Sequence, residues 1–329
     1  MKKMNNKKNN RPAEIIACLV RASKVLLISH VAPDGDTLGS ALGLAAALRQ
    51  RGVEVRLACA DPVPAELRFL PGSEGFAARG RSDEDLIVVL DTGDLKRIGS
   101  LYSPESFAAV PVINIDHHVT NVFFGDLNWV EPRAATAELV LDLLLEWGIP
   151  LDKEIATPLL TGIITDTRGF RTSSTTAESL RAAITLMEAG ASLAEISEAV
   201  FNRRSLATLR LWGMALAQAQ FAEGVLWVEI SREMLAQVDD PMASRGLANF
   251  LSTFAQARVA AVFRELDGVV EISLRSAPGV DVSEVALRFG GGGHPQAAGC
   301  TVEGELARVR SQVLEALFEV VRTAEEERG

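Results

Sequence analysis

The sequence predicts an α/β fold in two unequal parts, and three observations carry that prediction. Short β-branched runs alternate with helical patterns through the first two-thirds of the chain. This is βαβ periodicity, which implies a mostly parallel sheet covered on both faces. A stretch from about Thr176 to Gln220 is helical in pattern throughout, rich in Ala, Leu and Glu and poor in turn residues. After Gly224 strands return, as a second and smaller α/β unit. The composition, 48% hydrophobic and 23% charged over 329 residues, suits about two globular domains and excludes a disordered or collagen-like chain.

Each element has its own reason. Residues 1–13 read as a disordered basic tail, because Lys2, Lys3, Lys7, Lys8 and Arg11 crowd the first eleven positions without an acid. The tail lacks the apolar core of a secretory signal. Val25–Ile28, Val53–Ala58, Leu86–Leu90 and Val112–Ile115 are short runs rich in β-branched residues and leucine and read as buried strands. Thr37–Arg51, Thr136–Trp147 and Ile155–Ile164 supply helices between or after them. The first domain is therefore placed at 14–190 and a helical linker at 191–220. In 221–325, Val225–Ile230, Arg258–Arg264 and Val269–Leu274 read as strands, with helices near Val282–Arg288 and Leu306–Glu325.

Charge and cysteine content narrow the function classes. The net charge is −10, and without the five basic residues of the tail 28 basic residues face 43 acids. A body that acidic is unsuited to wrapping long DNA or RNA through many phosphates. No run approaches the ~20 apolar residues of a bilayer span. Cys18, Cys59 and Cys300 are scattered, with no CxxC spacing, which argues for a reducing, cytoplasmic setting and against a zinc ribbon.

The residues that carry chemistry cluster at the expected strand ends, where α/β sheets bind ligands. His30 closes the first strand, followed by Asp34 and Asp36. Asp91 caps the third strand, and Asp116-His117-His118 follows the fourth. Asp166 comes after an apolar helix. Taken singly, each reads as a strand or helix cap. Taken together they read as a metal centre, because the four carboxylates of Asp34, Asp36, Asp91 and Asp166 in one place need cations to neutralise them. Two divalent ions match four aspartates in charge, and mixed carboxylate and imidazole donors suit manganese, with magnesium or cobalt as substitutes. A carboxylate bridging two ions is the arrangement used for in-line attack on phosphorus.

These motifs, His30-x3-Asp34-x-Asp36, Asp91, Asp116-His117-His118 and Asp166, resemble the ordered motifs of the DHH phosphoesterases, the RecJ-like superfamily. Gly291-Gly292-Gly293-His294-Pro295-Gln296-Ala297-Ala298-Gly299 resembles the signature of the DHHA1 partner domain. The resemblance covers nearly all of residues 14–325 and implies a DHH domain linked by helices to a DHHA1 domain with a mixed sheet. It points to the short bacterial members that act as oligoribonucleases (nanoRNases) and 3′-phosphoadenosine-5′-phosphate phosphatases, some of which also cleave cyclic di-AMP or its linear product. It implies two Mn2+ ions: His30 and Asp34 on one, Asp36, His117 and Asp166 on the other, and Asp91 bridging. Asp116 and His118 would orient ligands or touch the substrate phosphate. Short RNA oligonucleotides or small adenine nucleotides are the partners implied, and the family suggests a homodimer.

Several residues keep two readings. Arg97 is either a phosphate clamp or a structural partner. Arg168 and Arg171 either strengthen phosphate binding beside Asp166 or point to solvent. Arg275 resembles the arginine with which the family holds the far phosphate, against a solvated strand-end cation. Gly290 to Gly293 can offer a backbone anion nest, with His294 as a further donor, or a flexible turn. Gly35 and Gly39 resemble phosphate-loop glycines, a weak signal. The function expected is a metal-dependent phosphodiesterase with its active site in the cleft between the domains, where a metal-activated water attacks phosphorus and the 3′-oxygen leaves. The alternatives are a manganese inorganic pyrophosphatase, against which the DHHA1-type signature argues; a RecJ-type single-strand exonuclease, disfavoured by length and charge; and a non-enzymatic nucleotide sensor, which would require lost ligands.

Overall fold

The computed structural model describes residues 9–202, 204–240 and 242–326. The chain forms two compact units, Met1–Arg203 and Arg204–Gly329. The first runs α1 (Pro12–Leu19), β1 (Lys24–Ile28), α2 (Gly35–Gln50), β2 (Glu54–Ala58), β3 (Phe76–Ala77), β4 (Leu86–Leu90), α3 (Pro104–Ala109), β5 (Val112–Asp116), β6 (Leu127–Val130), α4 (Thr136–Trp147), α5 (Lys153–Asp166), α6 (Ala177–Glu188) and α7 (Leu193–Ser197). Its six strands are all parallel, in the order β3-β2-β1-β4-β5-β6. Side chains of β1 alternate between two cores: Val25 and Leu27 join α2, α4 and α5, and Leu26 and Ile28 join the smaller opposite cluster. That double burial is why β1 and β4 carry continuous apolar runs.

Strand order decides where the site lies. The chain passes from β1 outward to β2 and β3, then returns to lay β4 on the other side of β1. The β1/β4 boundary is therefore a topological switch point, which opens a crevice beyond the carboxyl ends of the strands. α2 enters that crevice with Asp34 as its cap: Asp34 Oδ1 accepts from the N–H groups of Asp36 and Thr37, both at 3.1 Å. α2 lies closely against α5. A Cβ on Gly39 would strike the Pro158 carbonyl, so this glycine serves helix packing and not a phosphate loop. The contact brings Asp36 at the start of α2 beside Asp166 at the end of α5.

The second unit runs α8 (Leu206–Leu216), β7 (Gln220–Ala222), β8 (Val225–Ile230), α9 (Arg232–Ala236), α10 (Leu247–Leu251), β9 (Val259–Glu265), β10 (Val269–Ser276), α11 (Ser283–Arg288), β11 (Gly292–His294), β12 (Ala297–Glu303) and α12 (Leu306–Glu326). Its sheet order is β11-β12-β10-β9-β8-β7, mixed because only β8 and β9 pair in parallel. α12 packs Val309, Val313, Leu317 and Val321 on one face, each four residues after the last, with Leu314 and Ala324 beside them at three-residue steps.

Some elements differ from the sequence reading. Of the expected tail at 1–13, residues 1–8 lie outside the described residues; beyond them, Asn9 bridges to Asn128 and α1 already starts at Pro12. The continuous helical pattern of 176–220 is broken into α6, α7, a π-type turn at Glu198–Asn202 and α8, with the boundary between units inside it. The glycine run builds a hairpin strand: Gly292, Gly293 and His294 pair with Gly299, Ala298 and Ala297. Helix and strand periodicity carry no information there, because glycine has no side chain to alternate.

Candidate metal centre

β1, β4 and β5 are neighbours, so the residues just beyond their ends fall together. His30 Nε2 lies 3.3 Å from Asp91 Oδ2 and 3.6 Å from Asp34 Oδ2. His117 Nε2 lies 3.4 Å from Asp91 Oδ1, 3.5 Å from Asp166 Oδ2 and 4.0 Å from Asp36 Oδ2. Two donor groups result, His30–Asp34–Asp91 and Asp36–His117–Asp166, and a third combines Asp91 with His117 and His118. Asp91 stands between them in a left-handed backbone conformation, φ 56°, which Asp tolerates better than most residues. The cluster is graded in exposure: Asp36 is fully buried, whereas the Asp34 side chain is 51% exposed.

The electrostatics are those of carboxylates short of cations. Burial pulls the His30 imidazole down, but its contacts with Asp34 and Asp91 outweigh burial and raise it to about 10. Burial opposes His117 too, and Asp91, Asp36 and Asp166 raise it to about 11. Burial, then the Asp91 charge, pushes Asp36 up to about 7. Burial, then Asp36, drives Asp166 well above the carboxylate range. Asp91 goes the other way: His117 and His30 overcome burial and hold it well below that range. Protons on the imidazoles thus do here what cations would do.

The donor set fits divalent ions on its chemistry. His30 Nδ1 lies 2.7 Å from the Val31 carbonyl and His117 Nδ1 lies 3.1 Å from the Arg133 carbonyl. Both rings can donate Nδ1–H to backbone and turn Nε2 inward, the tautomer with which imidazole coordinates metal. Nitrogen and carboxylate oxygen without thiolate is a donor set for manganese, magnesium or cobalt rather than structural zinc.

A buried network supports the cluster. His118 Nδ1 lies 2.7 Å from Asp116 Oδ1, and Asn121 Nδ2 donates to Asp116 Oδ2 at 2.5 Å and to Asn114 Oδ1 at 2.8 Å. Burial lowers the His118 pKa, yet Asp116 and then Asp91 carry it above its ordinary value. The amides of Thr136 and Ala137, at the start of α4, donate to Asp36 at 2.6 and 2.9 Å, and the Thr136 hydroxyl donates to Asp91 Oδ1 at 3.0 Å. Sequence reasoning missed Asn114, Asn121 and Thr136. The only signal for Asn121 was its place three residues after His118, and Thr136 looks like any helix start.

The remaining candidates sit as follows. Arg97 is exposed, with its Nη2 3.0 Å from His30 Nδ1 and its carbonyl accepting from Val31 N–H. Arg168 is half-buried, and its carbonyl accepts from Arg171 Nε. In the second unit, Arg275 Nε donates to Asn249 Oδ1 at 2.6 Å and Nη1 to the Leu274 carbonyl at 2.7 Å. Register places Arg275 opposite Ala297, and Ala297 opposite His294, so both candidate anchors lie on one sheet face. The expected open nest is partly spent: the Gly290 and Gly291 amides donate to Leu287 and Ala286 and close α11. Gly291 is required for a different reason, since a Cβ there would run into the Gly299 carbonyl and Cys300.

Comparison with known proteins agrees with this architecture. The DHH family, N-terminal domain, matches residues 24–163, and the DHHA1 domain matches residues 233–325. The chain is 39% identical over 307 residues to the bifunctional oligoribonuclease and PAP phosphatase NrnA of Thermus thermophilus, covering 91% of each chain. It is 27% identical over 333 residues to the cyclic-di-AMP phosphodiesterase PdeA of Listeria monocytogenes, covering 91% of this chain and 48% of that protein. An exopolyphosphatase-related protein from Bacteroides fragilis has the same fold, with a TM-score of 0.87, 28% identity, and coverage of 94% of this chain and 97% of that one. The chain belongs to the DHH family of phosphoesterases, as a DHH domain followed by a DHHA1 domain, and is a hydrolase of phosphoester bonds.

Proposed function

We propose that the chain hydrolyses short oligoribonucleotides to nucleoside 5′-monophosphates and 3′-phosphoadenosine 5′-phosphate to AMP, with cyclic di-AMP or its linear product as further substrates. The observation that carries the reading is Asp91 with one oxygen toward His30 and the other toward His117. His30 and Asp34 would hold one divalent ion, Asp36, His117 and Asp166 the other, and Asp91 both. Manganese is the ion proposed, with magnesium or cobalt as substitutes. When bound, two such ions acidify water and neutralise the phosphoryl oxygens. The chain's own groups do the rest. Asp116 and Asn121 fix the ring of His118 toward the reacting phosphate. Arg97, Arg275, His294 and the Gly291–Gly293 run are the proposed substrate-binding groups, with Arg275 supplying a planar cation that suits phosphate.

None of the six ligand side chains is missing, which argues against a sensor that binds without cutting. The three cysteines are free, and among the described residues no helix is long and apolar enough to cross a membrane. The free cysteines support a cytoplasmic site of action. A homodimer is proposed with them, to be checked by light scattering on the purified chain. The functional test strips the protein with chelator and restores it with manganese. Mononucleotide release from a dinucleotide, from 3′-phosphoadenosine 5′-phosphate and from cyclic di-AMP is then compared. Full activity in chelator would overturn the two-ion reading, and the ranking of the three substrates identifies the main one.

A further inference from the structure

We propose that Thr136 is a positioning residue that fixes how the Asp91 carboxylate is shared between two ions. The inference rests on the two-ion reading and adds to it a residue that is not itself a ligand. Asp91 Oδ2 faces His30 Nε2 at 3.3 Å, and Oδ1 faces His117 Nε2 at 3.4 Å. A carboxylate serving both sides must keep its plane in that orientation, although rotation of its terminal torsion is soft. With ions held by these residues, the direct contacts with His30 and His117 would no longer orient it. The hydrogen bond from Thr136 Oγ1 to Oδ1, at 3.0 Å, comes from a residue outside both donor groups and does not depend on them.

Thr136 is well placed for the task. It is fully buried, and its own N–H donates to Asp36 Oδ2 at 2.6 Å while Ala137 N–H donates to Asp36 Oδ1 at 2.9 Å. One helical turn therefore sets Asp36 and Asp91 against each other, although they come from different strand ends. An ionised carboxylate oxygen has two lone pairs. Thr136 occupies one on Oδ1, whose other neighbours are His117 Nε2 at 3.4 Å and His118 Nδ1 at 3.7 Å, and so would restrict how that oxygen turns toward an ion. A valine at this position would keep the shape and lose the donor.

The experiment is a manganese titration of the full chain by calorimetry and elemental analysis, with electron paramagnetic resonance reporting magnetic coupling between the two ions. For Thr136→Val, one ion is expected to bind about 10–100-fold more weakly, the range seen when a partner that orients a metal ligand is lost. The coupled-pair signal should vanish at manganese levels that saturate the parent. Thr136→Ser, which keeps the hydroxyl, should bind both ions as the parent does. Parental binding by Thr136→Val overturns the proposal, and so does a serine variant as weak as the valine one. If Thr136→Val does not fold, Thr136→Ala takes its place with the same expectation. A parent chain that binds fewer than two ions refutes the two-ion reading instead, before the variants are compared.

Discussion

At the scale of single residues, capping and coordination turn out to be the same placement. Asp34 caps α2 through Oδ1 and faces His30 through Oδ2; Asp36 receives two amides of α4 yet lies 4.0 Å from His117. A cap must sit where a strand ends and a helix begins, and in a parallel sheet that is where ligands bind. Asp91 is the residue on which both donor groups depend. Asp91→Ala is expected to remove both ions and to reduce activity to background. Asp34→Ala, at the exposed end of the cluster, is expected to cost one ion, and metal analysis of the two variants separates these outcomes. The acids and imidazoles were legible in the sequence because metal chemistry admits few residue types. The partners that orient them were not. Thr136 and Asn121 are ordinary residues whose role depends on contacts across 45 positions in one case and on a loop conformation in the other.

At the scale of elements, the most informative departure is the hairpin of β11 and β12. Its turn, Pro295-Gln296, is anchored by Ser276 and Val282, which donate backbone N–H groups to the Gln296 and Pro295 carbonyls. The glycines Gly291, Gly292 and Gly293, at and before the strand, are not equivalent. A Cβ on Gly291 meets the backbone of β12, whereas one on Gly292 meets nothing within 4 Å. Gly291→Ala is therefore expected to destabilise the protein by about 1–3 kcal/mol, as overpacking does. Gly292→Ala should stay within roughly 0.5 kcal/mol. Denaturant titration of both variants checks this. Arg275 and His294 stand on the same face, two strands apart. Arg275→Ala should weaken dinucleotide binding by about 1–3 kcal/mol, the loss of a charge-assisted hydrogen bond, and leave metal content unchanged. A variant that binds the dinucleotide as tightly as the parent, or that loses its ions, removes Arg275 from the substrate-binding set. The longer strands were legible from their β-branched runs; β3, β6, β7 and the hairpin were not, being short or rich in glycine.

At the scale of the whole molecule, charge and fold stability meet in the same cluster. The acidic body offers long strands few phosphate contacts, so dinucleotides to about pentanucleotides should be degraded faster than 20-mers; equal rates would favour a processive exonuclease. The last expectation concerns pH and follows from the histidines. In the ion-free protein, His30 and His117 keep their protons to about 10 and 11, whereas unfolded histidine loses its proton near 6.5. The folded state then binds more protons than the unfolded state between those limits. The stability this contributes is fully present below about pH 6.5 and is lost as pH rises toward 10 and 11. Asp36, raised to about 7, has the same sign at lower pH, since its charged form is the disfavoured one. Asp91, held low, has the opposite sign and loses its contribution only in strong acid. In chelator, the midpoint of thermal unfolding should therefore fall as pH rises from 7 to 10. Divalent ions reverse this, because each ion that takes an imidazole must displace its proton. Apparent affinity should rise by about tenfold per pH unit for each proton displaced. Calorimetry in buffers of different ionisation enthalpy counts those protons directly. A manganese affinity independent of pH between 6 and 8, with no proton release, would mean that the histidines are already neutral in the ion-free fold and that its carboxylates are balanced in some other way.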